Sequence, residues 1–88
     1  MFKRDDRYSV HVKSRSWIEY KDRERTVRLR AGMLDQQVYL GQEDVTAGQL
    51  DPRDREEVIR RVYHHLNVTR EMGLRFLNPD GSHWRPPT

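Results

Sequence analysis

"RERTVRLRA", residues 23 to 31, is the stretch that decides how this chain can fold. Its arginines alternate with the apolar residues Val27, Leu29 and Ala31, so one side of the segment is apolar and the other is cationic. A period of two is typical of a β-strand that covers a core with one face and meets solvent with the other. The segment therefore predicts a strand of an antiparallel sheet buried on one side.

Similar alternation occurs on either side of this segment. "YSVHV" at residues 8 to 12, "WIEYK" at 17 to 21 and "QQVYLG" at 36 to 41 each place apolar residues at every second position. The polar linkers "KSRS" and "DRE" are short enough to close hairpins. "LRFL", residues 74 to 77, reads as a last strand. These segments predict a meander of four strands and a later fifth strand.

One helix is predicted between the fourth and fifth strands. Asp51 suits the N-cap and Pro52 the first helical position, where the missing N–H costs nothing. The segment 42 to 50, "QEDVTAGQL", has no period and is predicted to be a loop. We expect the helix to run from Pro52 to about Met72. Its apolar stripe consists of Val58, Ile59, Val62, Tyr63 and Leu66.

Ion pairs are expected along the exposed side of this helix. Glu56 stands four residues before Arg60, and Glu57 four residues before Arg61. This order is the favourable one for helical ion pairs. The helix arginines are therefore interpreted as internally paired rather than as a separate binding surface.

The element order β-β-β-β-α-β predicts an α+β fold: an antiparallel four- to five-stranded sheet with one main amphipathic helix packed on one face. We expect a flexible lead-in at residues 1–7, a single domain at 8–77 and an extended tail at 78–88. Trp84 of that tail either folds back onto the domain or is exposed for a partner. The predicted core is Tyr8, Val10, Val12, Ile18, Val27, Leu29, Val38, Leu40, Val58, Ile59, Val62, Tyr63, Leu66, Leu74 and Phe76.

Composition limits the classes of protein that remain. The chain has 88 residues, of which 34% are hydrophobic and 35% charged, so it can build one small core as a monomer or a homodimer. It contains no cysteine, which removes disulfides and thiolate chemistry. Neither a long apolar run nor a hydrophobic signal segment is present. The expected location is the cytoplasm.

The residue types used in catalysis and metal binding occur without a convergent pattern. His64 and His65 are neighbours on the predicted helix and point about 100° apart, so they cannot share one metal as an i, i+4 pair does. The serines lack a strained nucleophile turn, and the glycines form no phosphate-binding loop. We therefore expect no catalytic residue, no metal and no cofactor.

Charge is distributed unevenly along the chain. Residues 1 to 30 hold ten Lys or Arg against five Asp or Glu, residues 31 to 52 hold none against four, and the net charge is +3. Arg28 and Arg30 point away from the predicted core, in the same sense as Trp17 and Tyr39. Such a face is either a solvated sheet surface or a platform on which single-stranded bases could stack.

Three segments together resemble small bacterial immunity proteins of polymorphic toxin systems. They are the hairpin "WIEYKDRERTVRLR", the capped helix "LDPRDREEVIRRVYHHL" and the final strand "GLRFL". The resemblance implies a β-meander, a helix and a closing strand that bind a cognate toxin without catalysis and occlude its active site. Members directed at nucleases tend to be acidic, and this chain departs from that pattern with its net charge of +3.

The sequence thus favours a non-catalytic protein-binding module, most concretely a toxin-neutralising immunity or inhibitor-type protein. The alternative is a small basic nucleic-acid-binding domain that uses an arginine-rich sheet face together with Lys13. A structural subunit ordered by assembly is a third possibility. The residues predicted to bind a partner are Trp17, Arg28, Arg30, Tyr39, Glu43, Asp44 and Trp84.

Overall fold

The computed structural model describes residues 7 to 86 and has the predicted α+β architecture. Five strands lie in the spatial order β1-β2-β3-β4-β5, and β5 runs parallel to β4 while the other neighbours are antiparallel. The elements are β1 Tyr8–Val12, β2 Trp17–Asp22, β3 Thr26–Gly32, a single 3₁₀ turn Met33–Asp35, β4 Gln37–Ala47, α1 Pro52–Tyr63, a π-helical turn His64–Thr69 and β5 Arg75–Leu77.

The central strand β3 has the predicted alternation. Val27, Leu29 and Ala31 are buried, whereas Arg28 and Arg30 are exposed. Antiparallel partners in register point to the same face, so the residues opposite these positions on β2 and β4 are buried too, apart from the partly buried Val45. Helix α1 covers this face with Val58, Ile59 and Val62. Most of the predicted core is therefore confirmed.

The margins of the core differ from the prediction. Tyr8, Val12 and Tyr63 pack against the core but remain partly exposed. Tyr20 and Ala31, which were left out of the predicted core, are buried. The single parallel pair is also a correction, since an all-antiparallel sheet was expected. It arises because α1 carries the chain back across the sheet before β5 begins.

Strand β4 is longer than predicted, so the expected loop at residues 42 to 50 is wrong for residues 42 to 47 and confirmed only for 48 to 50. The strand continues to Ala47, and Val45 pairs with Val27 of β3. Between these paired halves β4 bulges away from β3, and Gly41 in the bulge has a φ of 89°. The extra residues interrupt the alternation, so the second half of the strand gives no period-two signal.

This bulge anchors the helix to the sheet through Glu43. One carboxylate oxygen of Glu43 accepts the backbone N–H of Gly41, and the other accepts the Nε–H of Arg55 in α1. The Glu43 side chain is only 6% exposed and that of Arg55 is 32% exposed. The ion pair is therefore largely withdrawn from water, where the loss of one partner is costly.

Helix α1 begins as predicted and ends earlier. Asp51 caps it by accepting the N–H of Asp54 at 2.9 Å. Regular helix stops at Tyr63 rather than near Met72, and a π-helical turn follows. The side-chain amide of Asn67 bonds to both the N–H and the C=O of Leu74 at 2.8 Å, which directs the chain into β5. No local pattern in the sequence indicates this contact.

Removing the Glu43 carboxylate should destabilise the fold. We expect Glu43→Gln to lower the free energy of unfolding by about 1–3 kcal/mol, because Arg55 keeps its charge in a partly buried place. The matched control is Glu56→Gln, which removes an exposed carboxylate 3.9 Å from the same guanidinium and should change stability by less than about 0.5 kcal/mol. Urea denaturation measures both. Equal losses would contradict an anchoring role for Glu43.

Candidate functional site

The face of the sheet opposite α1, here the outer face, carries a row of two aromatic rings and an arginine. Trp17, Arg30 and Tyr39 occupy matching positions on β2, β3 and β4. Their chain neighbours Ile18, Leu29 and Val38 are buried against the helix, so the pleat places all three of the row on the other side. We call Trp17, Arg30 and Tyr39 the aromatic row.

Arg30 is held in this row by its ring neighbour. Its Cζ lies 5.4 Å from the centroid of the Trp17 ring, within the range of a cation–π contact. Within residues 7 to 86, its guanidinium forms no ion pair or hydrogen bond with another side chain. The group is therefore positioned while its N–H donors remain available.

Tyr39 is held in place by its own strand and by β3. Its hydroxyl donates a hydrogen bond to Oε1 of Gln37 at 2.9 Å. A Cβ added to Gly32 would lie 3.0 Å from the Tyr39 hydroxyl, so the ring lies close over a position that carries no side chain. The glycine that ends β3 thus gives the ring its room.

A second row on the outer face consists of a histidine and three charged residues of mixed sign. His11, Glu19, Arg28 and Asp44 follow one another across β1 to β4. One oxygen of Glu19 lies 3.8 Å from Nε of Arg28, and its other oxygen lies 3.6 Å from Nζ of Lys13. Arg28 is therefore partly neutralised, in contrast to Arg30. We call these four residues the charged row.

The structure brings together five of the seven residues predicted to bind a partner and separates the other two. The aromatic row, Arg28 and Asp44 share the outer face. Glu43 is turned inward onto Arg55. Trp84 folds back onto the domain, with its ring 5.8 Å from that of Phe76 and 5.6 Å from that of Tyr63. The backbone N–H of Trp84 donates to the Phe76 carbonyl at 2.7 Å. Of the two alternatives that the sequence left open for Trp84, the structure therefore has the one in which the tail folds back onto the domain.

A partly buried polar cluster joins the far end of β2 to the helix, and sequence reasoning missed it. The Tyr20 hydroxyl donates to Oδ2 of Asp22 at 2.6 Å and accepts from Nη1 of Arg61 at 2.8 Å. Arg61 also donates to Glu57 at 2.7 Å, which is the predicted i, i+4 pair. The available sign in the sequence is that Tyr20 occupies an inward strand position two residues before Asp22. The third residue of the cluster, Arg61, lies 41 residues after Tyr20.

The titration of this cluster follows from its burial. Burial, reinforced by the hydrogen bond to Asp22, raises the pKa of Tyr20 to about 12. Burial also acts to raise the pKa of Asp22, but hydrogen bonds from the Tyr20 hydroxyl and from the N–H groups of Glu24 and Arg25 outweigh it and lower that pKa. At neutral pH the Tyr20 hydroxyl therefore keeps its proton and the Asp22 carboxylate is ionised. The cluster behaves as a structural link between sheet and helix.

A groove lies on the helix side of the sheet edge. It has a volume of about 390 Å³ and is bordered by residues of β1, α1, the π-helical turn and the tail. The groove is lined by Tyr8, Glu57, Arg60, Arg61, Tyr63, His64, Val68 and Pro86.

The predicted ion pair between Glu56 and Arg60 does not form, and Arg60 is one of the residues that line the groove. Glu56 lies 3.9 Å from Arg55, and no ion pair between Glu56 and Arg60 occurs. A contact with the neighbouring guanidinium takes the carboxylate away from Arg60 at i+4. Arg60 is therefore an exposed cation at the groove without a carboxylate partner in the part of the chain that the structure describes.

Two findings concern other kinds of site. Over residues 7 to 86, no three His, Asp or Glu side chains come together as a metal-ligand set. In the same part of the chain, no helix combines the length and apolar character needed to span a membrane.

The polar cluster should make stability depend on pH through Tyr20. Because its folded pKa of about 12 exceeds the ordinary value of 10.0, Tyr20 contributes stability that is present below pH 10 and lost as pH rises towards 12. Asp22, whose folded pKa is lowered, contributes stability that is present above about pH 4 and lost as pH falls below it.

We expect Tyr20→Phe to flatten the acid and alkaline limbs of the plot of unfolding free energy against pH. It should also lower the free energy of unfolding at neutral pH by about 1–3 kcal/mol, because Asp22 and Arg61 lose a buried partner. Chemical denaturation followed by circular dichroism across a pH series measures this. Tyr39→Phe, which removes a hydroxyl bonded to a neutral amide, is the matched control and should leave both limbs unchanged. Identical pH profiles for Tyr20→Phe and the unmodified protein would contradict the assignment.

No protein-family model matches this chain, and no curated protein or solved structure matches it.

Proposed function

We propose that this protein is a non-catalytic protein-binding module that contacts its partner through the outer face of the sheet. The observation that carries the proposal is the aromatic row. Trp, Tyr and Arg are the three residue types enriched among interface residues that dominate binding energy, and here they stand side by side. Arg30 in particular is oriented by Trp17 and still has unused donors.

The setting of the row also supports binding. All three side chains project from paired strands, so less conformational entropy is lost on binding than from a loop. The adjacent charged row alternates in sign across the sheet. Charges of both signs next to an aromatic centre favour a partner with a complementary mixed pattern, and they add selectivity and association rate more than affinity.

Within this class, our finer proposal is an immunity or inhibitor-type protein that neutralises a cognate bacterial toxin in the cytoplasm. Its support is the resemblance of the hairpin, helix and final strand to such proteins and the order β-β-β-β-α-β. The outer face would cover the toxin's active site stoichiometrically. Asp44, exposed at the end of the charged row, would meet a cation of that site.

Nucleic acid is the second candidate, favoured by the balance of charge on the outer face. Five cations share the outer face with the carboxylates Glu19 and Asp44, so the excess of charge there is positive, and the aromatic row could stack bases between its rings. Against this, Glu19 partly neutralises two of those cations, Lys13 and Arg28. The five cations are Lys13, Lys21, Arg28, Arg30 and Arg75.

The protein-binding proposal predicts that the aromatic row dominates binding. We expect Trp17→Ala combined with Tyr39→Ala to reduce partner capture from lysate of the source cells by at least about tenfold, measured by quantitative mass spectrometry against the unmodified protein. Dissociation constants for the recovered partner then confirm the loss directly. Lys21→Ala, on the same face but outside both rows, is the control and should change capture little. Undiminished capture by the double variant would remove the aromatic row from the interface.

The two candidate functions are separated by a titration with labelled single- and double-stranded DNA and RNA, followed by fluorescence anisotropy. If the partner is a protein, we expect any binding at low salt to disappear at about 0.15 M salt, since it reflects only the positive excess. Binding that persists there, and that weakens with a shallower salt dependence in Arg28→Glu combined with Arg30→Glu, would replace the leading proposal by the nucleic-acid one.

A further inference from the structure

We propose that the groove is a second binding surface and that it takes a segment of a partner protein in which an apolar side chain stands next to a carboxylate. The groove lies on the helix side of the sheet, away from the outer face. The inference is therefore independent of the aromatic row and does not rest on the function proposed above.

The apolar side chains that line the groove are not fully buried. Tyr8 and Tyr63 are partly buried and supply ring surface, while Val68 is 54% exposed. Val68 and Leu34 are the two large aliphatic residues that stand out as exposed within residues 7 to 86. A volume of about 390 Å³ falls in the range of concave sites that hold a few side chains of a ligand.

The π-helical turn is the second observation that points to this place. Val68 lies within it, and the N–H of Arg70 donates to the carbonyl of His65, five residues back, at 3.1 Å. Such turns are rare inside or after α-helices and occur frequently at functional sites. Here the turn presents a β-branched apolar side chain to solvent beside two tyrosines.

The charges at the groove select the chemistry of the occupant. Glu57 and Arg61 both line the groove, but they are paired with each other, and Arg61 also donates to Tyr20. Arg60 has no carboxylate partner in the described part of the chain, and His64 follows it by about one turn. A basic segment would be repelled here and a wholly apolar one would leave Arg60 uncompensated. An acidic group beside an apolar one satisfies both parts of the groove.

The test is a titration of the ¹⁵N-labelled protein, full chain, with three capped tetrapeptides followed by NMR. The first is acetyl-Glu-Leu-Leu-Glu-amide; the second replaces both glutamates by glutamine; the third replaces both leucines by serine. We expect saturable shifts with the first peptide at a dissociation constant on the order of 1 mM. These shifts should centre on the amides of Arg60, His64 and Val68, with the other two peptides binding at least about threefold more weakly.

Two substitutions test the assignment within the protein. Arg60→Gln and Val68→Ser change exposed side chains, and each should weaken the first peptide about threefold or more while leaving the spectrum of the folded protein otherwise intact. Arg53→Gln, an exposed arginine in the first turn of the same helix, is the control and should not alter affinity.

Three outcomes would overturn the inference. The first is an absence of saturable shifts with the acidic peptide. The second is equal affinity for the glutamine peptide, which would remove the charge selection. The third is a set of shifts centred on the aromatic row, which would assign peptide binding to the outer face and support the function proposed above instead. Failure at the groove with an intact outer-face interaction therefore remains distinguishable from failure of both.

Discussion

Successive residues of β3 must point to opposite faces of the sheet, and the two surfaces of this protein follow from that constraint. Burying Val27 and Leu29 under α1 obliges Arg28 and Arg30 to face the other way. The register with β2 and β4 then decides the neighbours of each arginine. Arg28 comes to lie between carboxylates and Arg30 between aromatic rings, so one alternating segment produces both a charged row and an aromatic row.

A core this small is supplemented by polar links between sheet and helix. Glu43 in the bulge of β4 holds Arg55, and Tyr20 with Asp22 at the end of β2 holds Arg61. Buried polar pairs contribute little net stability compared with apolar packing, but a helix docked out of place would leave each of them unpaired. We interpret the two links as fixing where α1 lies on the sheet, which apolar contacts specify less strictly.

Features with local causes could be predicted from the sequence, and features with distant causes could not. The first three strands follow from alternation and the helix start from Asp51 and Pro52, because those signals lie within a few residues. The second half of β4 could not be predicted as a strand, because the bulge interrupts the alternation of apolar and polar residues. The pairing of Tyr20 with Arg61, 41 residues on, and the groove at Val68 depend on tertiary contacts that no local pattern encodes.

Two arginines of this chain stack on aromatic rings in nearly the same way and differ in what remains available. Cζ of Arg61 lies 5.1 Å from the Tyr8 ring and that of Arg30 lies 5.4 Å from the Trp17 ring. Arg61 uses its N–H groups on Tyr20 and Glu57, so it serves the fold. Arg30 meets no such acceptor within residues 7 to 86. The Trp17 ring therefore orients its guanidinium while the N–H donors of that group stay free. A donor already oriented loses little entropy on binding, which is why Arg30 is the residue around which we place the interface.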